Sequence, residues 1–287
     1  MLNSSQNIAL HRRLTNGLAL GLITMAMLIV TVPLFLILGT VISRGVSGLN
    51  WAFFTQIPKP IGEVGGGMVN AIAGSVMLLA VASLIGVPLG VGAGVYLAEY
   101  GRNKWGNIVR FTADVLNGVP SIVIGLTAYA LVVVVQKHFS LLAGSVALGI
   151  MMIPTICRTT EEVLLLVPQS IREAALGLGI PKWRTILSVV VRTASSGIVT
   201  SIMLAFARIA GETAPLMFTA LGNQYWSKSL NQPTAALPLQ IFAYAVMPYD
   251  EAHRQAWTGA LVLIGLIMLT VIVFRFISSR GAIKGAS

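Results

Sequence analysis

Apolar residues in this chain form six long runs separated by shorter polar segments. Each run is about 20 residues or longer, the length that an α-helix needs to cross the hydrocarbon core of a bilayer. Because a helix satisfies its own backbone hydrogen bonds in hydrocarbon, the pattern predicts an all-α bundle of six transmembrane spans. We place the spans at 18–42, 68–98, 113–135, 141–165, 192–218 and 257–277.

The second run is longer than one crossing requires and is rich in residues that bend or weaken helices. These residues are Gly86, Pro88, Gly90, Gly92 and Gly94. A proline inside a helix removes one hydrogen bond and crowds the preceding turn. We therefore predict one long helix that kinks near Pro88.

The polar segments divide the chain into one membrane domain and two short tails. We expect an N-terminal segment at 1–17, the membrane domain at 18–277 and a C-terminal tail at 278–287. Hydrophilic stretches follow the fourth and fifth runs, at about 158–190 and 219–256. Lys and Arg are in excess on the segments that share a side with the N-terminus. The positive-inside rule therefore places both termini and the 158–190 stretch in the cytoplasm.

Composition agrees with a membrane protein and excludes several other classes. The chain is 56% hydrophobic and only 10% charged. Its net charge of +10 is explained by basic residues at the ends of spans, so we expect no nucleic acid partner. Cys157 is the only cysteine and the three histidines lack ligand spacing, so we predict no metal site. No G-x-x-x-x-G-K-[ST] loop or hydrolase motif is present, so we expect no ATP hydrolysis and no enzyme activity.

The cytoplasmic stretch contains a short helix–turn–helix pattern at about 168–190, which we call the coupling loop. Residues 172–178 favour a helix, and Gly179 is placed to end it in the left-handed conformation. Pro181 fits the first turn of a second helix. The pattern predicts a compact unit along the inner face of the membrane.

The sequence Glu173-Ala174-Ala175, followed after three residues by Gly179, resembles the loop that marks the inner-membrane permeases of ABC importers. In that family the pattern continues as Ile-x-Leu-Pro, whereas residues 189–192 here read Val-Val-Val-Arg and lack the proline. The resemblance implies that Glu173, Ala174, Ala175 and Gly179 dock on a cytoplasmic ATPase. The loop would then pass the movement of that ATPase to the spans.

Two further strings narrow the resemblance to the permeases of phosphate-specific ABC importers, the PstA type. They are Pro154-Thr155-Ile156-Cys157-Arg158-Thr159-Thr160-Glu161 and Ala207-Arg208-Ile209-Ala210-Gly211-Glu212-Thr213-Ala214-Pro215-Leu216. The likeness implies the type I importer permease fold in the cell inner membrane. It also implies a second, homologous permease chain, two ATP-binding subunits that hold ATP and Mg, and an external phosphate-binding protein.

Two charged residues, Arg208 and Glu212, lie inside the fifth apolar run. They are four residues apart, so we expect them on one helix face as a local pair. A charge at the bilayer centre costs about 2.5–3.5 kcal/mol on insertion scales. The alternative to a structural pair is an anion pathway, in which the planar fork of Arg208 binds phosphate oxygens. Glu212 would then keep the anion from being trapped.

Arg158, at the end of the fourth run, has two interpretations of equal weight. It is either an ordinary anchor at the cytoplasmic surface or a second basic step along the same pathway, as the resemblance implies. Three alternative functions also stay open at this stage. They are a permease for another oxyanion or an uncharged solute, an ion-coupled secondary transporter, and a membrane anchor without transport activity.

Overall fold

The computed structural model describes the backbone of residues 2–60, 63 and 65–283, and the side chains of 12–13, 15–60, 63 and 65–276. Helices make up most of the described chain. They are α1 (Leu2–Gly45), α2 (Trp51–Thr55), α3 (Val69–Tyr100), α4 (Lys104–Gly118), α5 (Ser121–Gln136), α6 (Leu141–Leu165), α7 (Gln169–Gly177), α8 (Lys182–Thr193), α9 (Ser195–Ala210), α10 (Ala214–Thr219), α11 (Leu237–Ala245) and α12 (Asp250–Ile283).

Helix α6 forms the centre of the bundle. In its most apolar stretch 72% of the residues are buried, against 22% for α3 and 6% for α1. Its side chains Leu148, Met152 and Ile156 belong to a core that also contains Leu78 of α3 and Ile209 of α9. The remaining helices are therefore arranged around α6, and α1 leaves most of its apolar surface uncovered by this chain.

Three glycines on α3 allow that helix to lie directly against α6. A Cβ at Gly86, Gly90 or Gly94 would lie 2.9 Å from Met152 Cβ, 2.8 Å from Ile156 Cβ and 2.7 Å from Thr160 Cβ, respectively. These glycines recur every four residues and so share one helix face, which is a common way for membrane helices to approach closely. Helix α3 continues as one helix past Pro88, and its glycine-rich part packs closely on α6.

Four helices are long and apolar enough to cross a membrane alone, and two bent helix pairs raise the number to six if each pair counts as one span. The predicted first, second, fourth and sixth runs correspond to α1, α3, α6 and α12. The third and fifth runs were predicted as single spans, whereas the structure divides each of them between helices that meet at an angle.

Each of the two misjudged runs contains a break that a proline explains. Helices α4 and α5 meet at an angle of 107°. Val119 between them is extended, since the residue before Pro120 is disfavoured in helical conformation. The 70° bend between α8 and α9 has no proline beside it, and the break that a proline explains in the fifth run is the end of α9 at Ala210. The ring of Pro215 would clash with the carbonyl of Gly211 in a continuous helix.

The coupling loop has the predicted form. Helix α7 ends at Gly177 and Gly179 follows at φ +78°, where the N–H groups of Gly179 and Ile180 donate to the carbonyls of Leu176 and Ala175. Such a left-handed glycine with paired hydrogen bonds is a standard helix end. Pro181 then precedes α8. The placement of both termini in the cytoplasm stays a prediction, and the side chains of the tail at 278–287 lie outside the described residues.

The glycine contact between α3 and α6 predicts that Gly94→Ala destabilises the protein whereas Gly92→Ala does not. The new methyl group at position 94 would meet the carbonyl oxygen of Cys157 and Cβ of Thr160, both at 2.7 Å, whereas position 92 has no atom within 4 Å. Overpacking of this kind costs about 1–3 kcal/mol. Both variants gain the same helix propensity, about 1 kcal/mol, so their difference reports the contact alone.

Thermal unfolding of the detergent-solubilised protein measures this effect. We expect a lower midpoint for Gly94→Ala and an unchanged or higher midpoint for Gly92→Ala. Equal midpoints for the two variants would show that the close approach of α3 and α6 is not required.

Candidate functional site: a polar strip and the coupling loop

Irregular backbone at two helix breaks brings α5 and α10 together. A Cβ at Gly125 of α5 would lie 2.6 Å from Cα of Pro215 in α10, so the two helices are in direct contact. Pro215 follows the break at 211–213, and Gly125 follows the break at Val119. In hydrocarbon, non-helical backbone is tolerated only where protein covers it or water reaches it. At this contact the protein itself covers both helices, since Gly125 and Pro215 are buried.

Arg208 lies in the last turn of α9 and reaches across to α6. Its Nη1 donates to Thr155 Oγ1 at 3.3 Å, and the Thr155 hydroxyl donates to Asn117 Oδ1 of α4 at 3.0 Å. One chain of hydrogen bonds thus connects three helices. A cation in the last turn also interacts favourably with the partial negative charge at the C-terminus of the helix.

Glu212 does not lie on the same helix face as Arg208, so the predicted local pair is wrong. Helix α9 ends at Ala210, and Glu212 lies in the turn before α10, where its N–H donates to the carbonyl of Ile209. Among the described side chains, no ion pair joins Arg208 and Glu212. The spacing argument failed because it assumed a continuous helix through the break.

Arg158 is held by two carboxylates. Its Nε lies 2.8 Å from Asp114 Oδ1 and its Nη1 lies 2.5 Å from Glu161 Oε2. Glu161 also accepts from Arg110 Nε at 2.6 Å. Two arginines and two carboxylates balance in charge, as a group in an apolar bundle requires. Both roles of Arg158, the surface anchor and the second basic step, stay predictions, and the structure adds that two carboxylates pair with its charge.

The members of this ion-pair network differ sharply in exposure. The side chain of Glu161 is only 3% exposed, whereas that of Asp114 is 56% exposed and that of Arg158 is 27% exposed. Arg110 also donates to the carbonyls of Leu97 and Gly101. The Arg110–Glu161 side of the network is therefore fixed by several bonds, and the Asp114 side is open.

Together these residues form a continuous polar strip, which consists of Asp114, Asn117, Thr155, Arg158 and Arg208. Asp114 and Asn117 are one turn apart on α4, as are Thr155 and Arg158 on α6, so the strip follows both helices. It offers guanidinium, hydroxyl and amide groups that suit an oxyanion, together with the Asp114 carboxylate that pairs with Arg158.

The sequence prediction missed Arg110, Asp114 and Asn117 as members of this region. Their spacing of four and three residues places them on one face of α4, and that pattern was the available signal. The pattern could not have identified their partners, because Glu161 and Thr155 lie on a different helix far away in sequence.

In the coupling loop, the residues of the Glu-Ala-Ala motif face in different directions. Glu173 and Ala174 are exposed, whereas Ala175 is buried. Gly179 is also exposed. One side of α7 therefore packs on the chain, and the other side is available to another protein.

Comparison with known proteins agrees with this architecture. A family model described as "binding-protein-dependent transport system inner membrane component" matches residues 86–282. The phosphate transport system permease protein PstA of Yersinia pestis is 47% identical over 270 residues, which cover 94% of this chain and 92% of the relative. The protein of the same name from Xylella fastidiosa (strain 9a5c) is 46% identical over 286 residues, or 99% of both chains.

A solved structure has the same fold. The inward-facing MetNI methionine ABC transporter matches with a TM-score of 0.58 at 20% identity, and the match covers 74% of this chain and 94% of that chain. This likeness confirms the predicted all-α permease fold, and the chain is a multi-pass inner-membrane protein. From the family match and the identity along nearly its whole length, the chain belongs to the family of binding-protein-dependent transport system inner membrane components.

Proposed function

We propose that this chain is the permease subunit of an ATP-driven importer that moves inorganic phosphate into the cytoplasm. The observation that carries the proposal is the identity of 45–47% to phosphate transport system permease proteins from Yersinia, Xylella and Haemophilus. These matches cover 94–99% of this chain. The coupling loop and the polar strip both lie within the shared region.

Arg208 is the main candidate for phosphate contact. Its side chain is exposed in the isolated chain, and no carboxylate in the described part of the chain pairs with it. Apart from the Thr155 hydroxyl, its donors are available to an anion that sheds water. A planar, always charged guanidinium suits two phosphate oxygens, so Arg208 lowers the barrier at this point of the pathway.

Arg158 and Glu212 are assigned secondary roles in the same pathway. Arg158 becomes a second basic step when the exposed Asp114 carboxylate gives way to phosphate. Glu212, in the turn between α9 and α10, adds negative charge near the route and prevents tight retention, since conduction requires an anion to leave as well as enter. It also offers an acceptor for the proton of monohydrogen phosphate.

The proposed assembly contains a second, homologous permease chain, two ATP-binding subunits and an external phosphate-binding protein. The exposed Asp114 and Arg208 of the polar strip support the second permease, because a pathway through the membrane needs a facing wall. The exposed residues Glu173, Ala174 and Gly179 support docking of an ATP-binding subunit, with Ala175 packing α7 on the spans. ATP and Mg bind in that partner. Closure of the ATP-binding subunits then moves the coupling loop and alternates access to the strip.

Uptake of radiolabelled phosphate by proteoliposomes that contain the purified complex tests the proposed function. We expect uptake that requires ATP and the external binding protein and that excess sulfate does not inhibit. Uptake by this chain alone, or uptake driven by an ion gradient without ATP, would replace the proposal with a secondary transporter.

The charge of Arg208 predicts that Arg208→Gln lowers phosphate uptake about 10- to 100-fold, because one hydrogen bond between charged groups is lost. Arg208→Lys should retain part of the activity, because lysine keeps the charge but not the planar fork. Arg275→Gln removes the same charge from the exposed end of α12 and serves as the control. Normal uptake by an assembled Arg208→Gln complex would exclude Arg208 from the pathway.

The exposure of Glu173 predicts that Glu173→Lys weakens co-purification of the ATP-binding subunit and stops uptake, because the reversed charge lies in the docking surface. Glu162→Lys reverses another exposed carboxylate, on α6, and should leave both measurements unchanged. Pull-down from detergent extracts measures the association. Retention of the ATP-binding subunit together with normal uptake would show that Glu173 takes no part in docking.

A further inference from the structure

Arg172 and Glu99 connect the coupling loop to the end of α3. The Nε and Nη2 atoms of Arg172 donate to Glu99 Oε1 at 3.1 and 2.9 Å. The two side chains are only 13% and 8% exposed. Breaking a buried pair leaves an uncompensated charge, which is strongly unfavourable. The contact is therefore expected to hold when the loop moves.

The same guanidinium is also bonded to the end of α6. Its Nη2 donates to the carbonyl of Leu164 at 2.8 Å, and its Nη1 donates to the carbonyl of Val167. Arg172 thus bonds to one carbonyl in the last turn of α6 and to one just beyond the helix end. One side chain of α7 thus connects α3 and α6.

Besides Arg172, helix α7 has few contacts with the spans, chiefly through the half-buried Ile171, which packs against the apolar cluster that contains Leu164 and Val167. Ala175 is its only buried residue within the described chain, and a cavity of about 540 Å³ opens between α7, α8 and the ends of α3 and α6. From α8, Lys182 Nζ donates to the carbonyl of Glu99 at 3.2 Å and lies 4.4 Å from the ring centre of Tyr100. The loop is therefore joined to α3 by individual side chains across an open space.

We propose that Arg172 and Glu99 act as positioning residues that transmit the displacement of the coupling loop to α3 and α6. Arg172 directly precedes the exposed Glu173, so force applied to the docking surface reaches the buried pair within one residue. The glycine face of α3 then carries the movement to α6, which bears Thr155 and Arg158. This inference rests on the proposed function, since it requires an ATP-driven partner.

The ratio of ATP hydrolysed to phosphate imported tests the inference. We expect Arg172→Gln complexes to retain the ATP-binding subunits and to hydrolyse ATP, while the ratio rises at least about tenfold, as expected when a buried charge pair is broken. A purely structural role predicts fewer intact complexes but an unchanged ratio in those that assemble. Arg172→Lys, which keeps one charged contact, should give an intermediate ratio.

Arg192→Gln is the matched control, because it removes an equal charge from an exposed position of α8, just beyond the coupling loop. Its ratio should equal that of the wild-type complex. A wild-type ratio in Arg172→Gln overturns the inference and leaves the proposed function intact. A wild-type complex that imports no phosphate overturns the proposed function instead.

Glu99→Gln keeps the inference testable if Arg172→Gln complexes do not assemble. This variant leaves the bonds from Arg172 to Leu164 and Val167 in place and weakens only the link to α3. We expect the ratio of ATP to phosphate to rise here as well. An unchanged ratio would show that the coupling loop acts on the spans by another route.

Discussion

The close contact between α3 and α6 determines the geometry of the rest of the bundle. Membrane helices gain little from apolar burial in lipid, so their association depends on van der Waals packing and on bonds between polar groups. Gly86, Gly90 and Gly94 supply a face without side chains along a little more than a quarter of α3. That approach places the end of α3 beside the end of α6, where Arg110 and Arg172 both find carbonyls and carboxylates.

Charged side chains in this bundle are of two kinds: some form ion pairs, and one has a hydroxyl as its partner. Glu161 is almost fully buried and binds two arginines, so its cluster is neutral and holds α4 against α6. Arg208 has a hydroxyl as its polar partner and remains positively charged at a helix end. A neutral cluster stabilises the position of helices, whereas an exposed cation is costly in hydrocarbon unless water or an anion reaches it. In the proposed pathway, the Glu161 cluster therefore holds the helices in place and Arg208 contacts the anion.

Two arginines bond other helices to the ends of α3 and α6. Arg110 fixes α4, which carries one side of the polar strip, and Arg172 fixes α7, which carries the docking surface. Both act on the same pair of helix ends. In the proposed mechanism, a movement of the coupling loop reaches the strip through helices that are already bonded together, without a separate flexible connection.

Sequence alone determined the all-α membrane class, the presence of α1, α3, α6 and α12, the approximate limits of α3 and α6, and the helix–turn–helix of the coupling loop with its left-handed Gly179. These features depend on local patterns: run length, charge distribution and the turn preference of glycine. The tertiary structure alone decided the bends at Val119 and Ala194, the separation of Glu212 from Arg208, and the partners of Arg158. Asp114, Thr155 and Glu99 are brought to their arginines by packing between helices distant in sequence. Because helical periodicity records only neighbours within one helix, no pattern along the chain could reveal which charges would be neutralised and which would remain available.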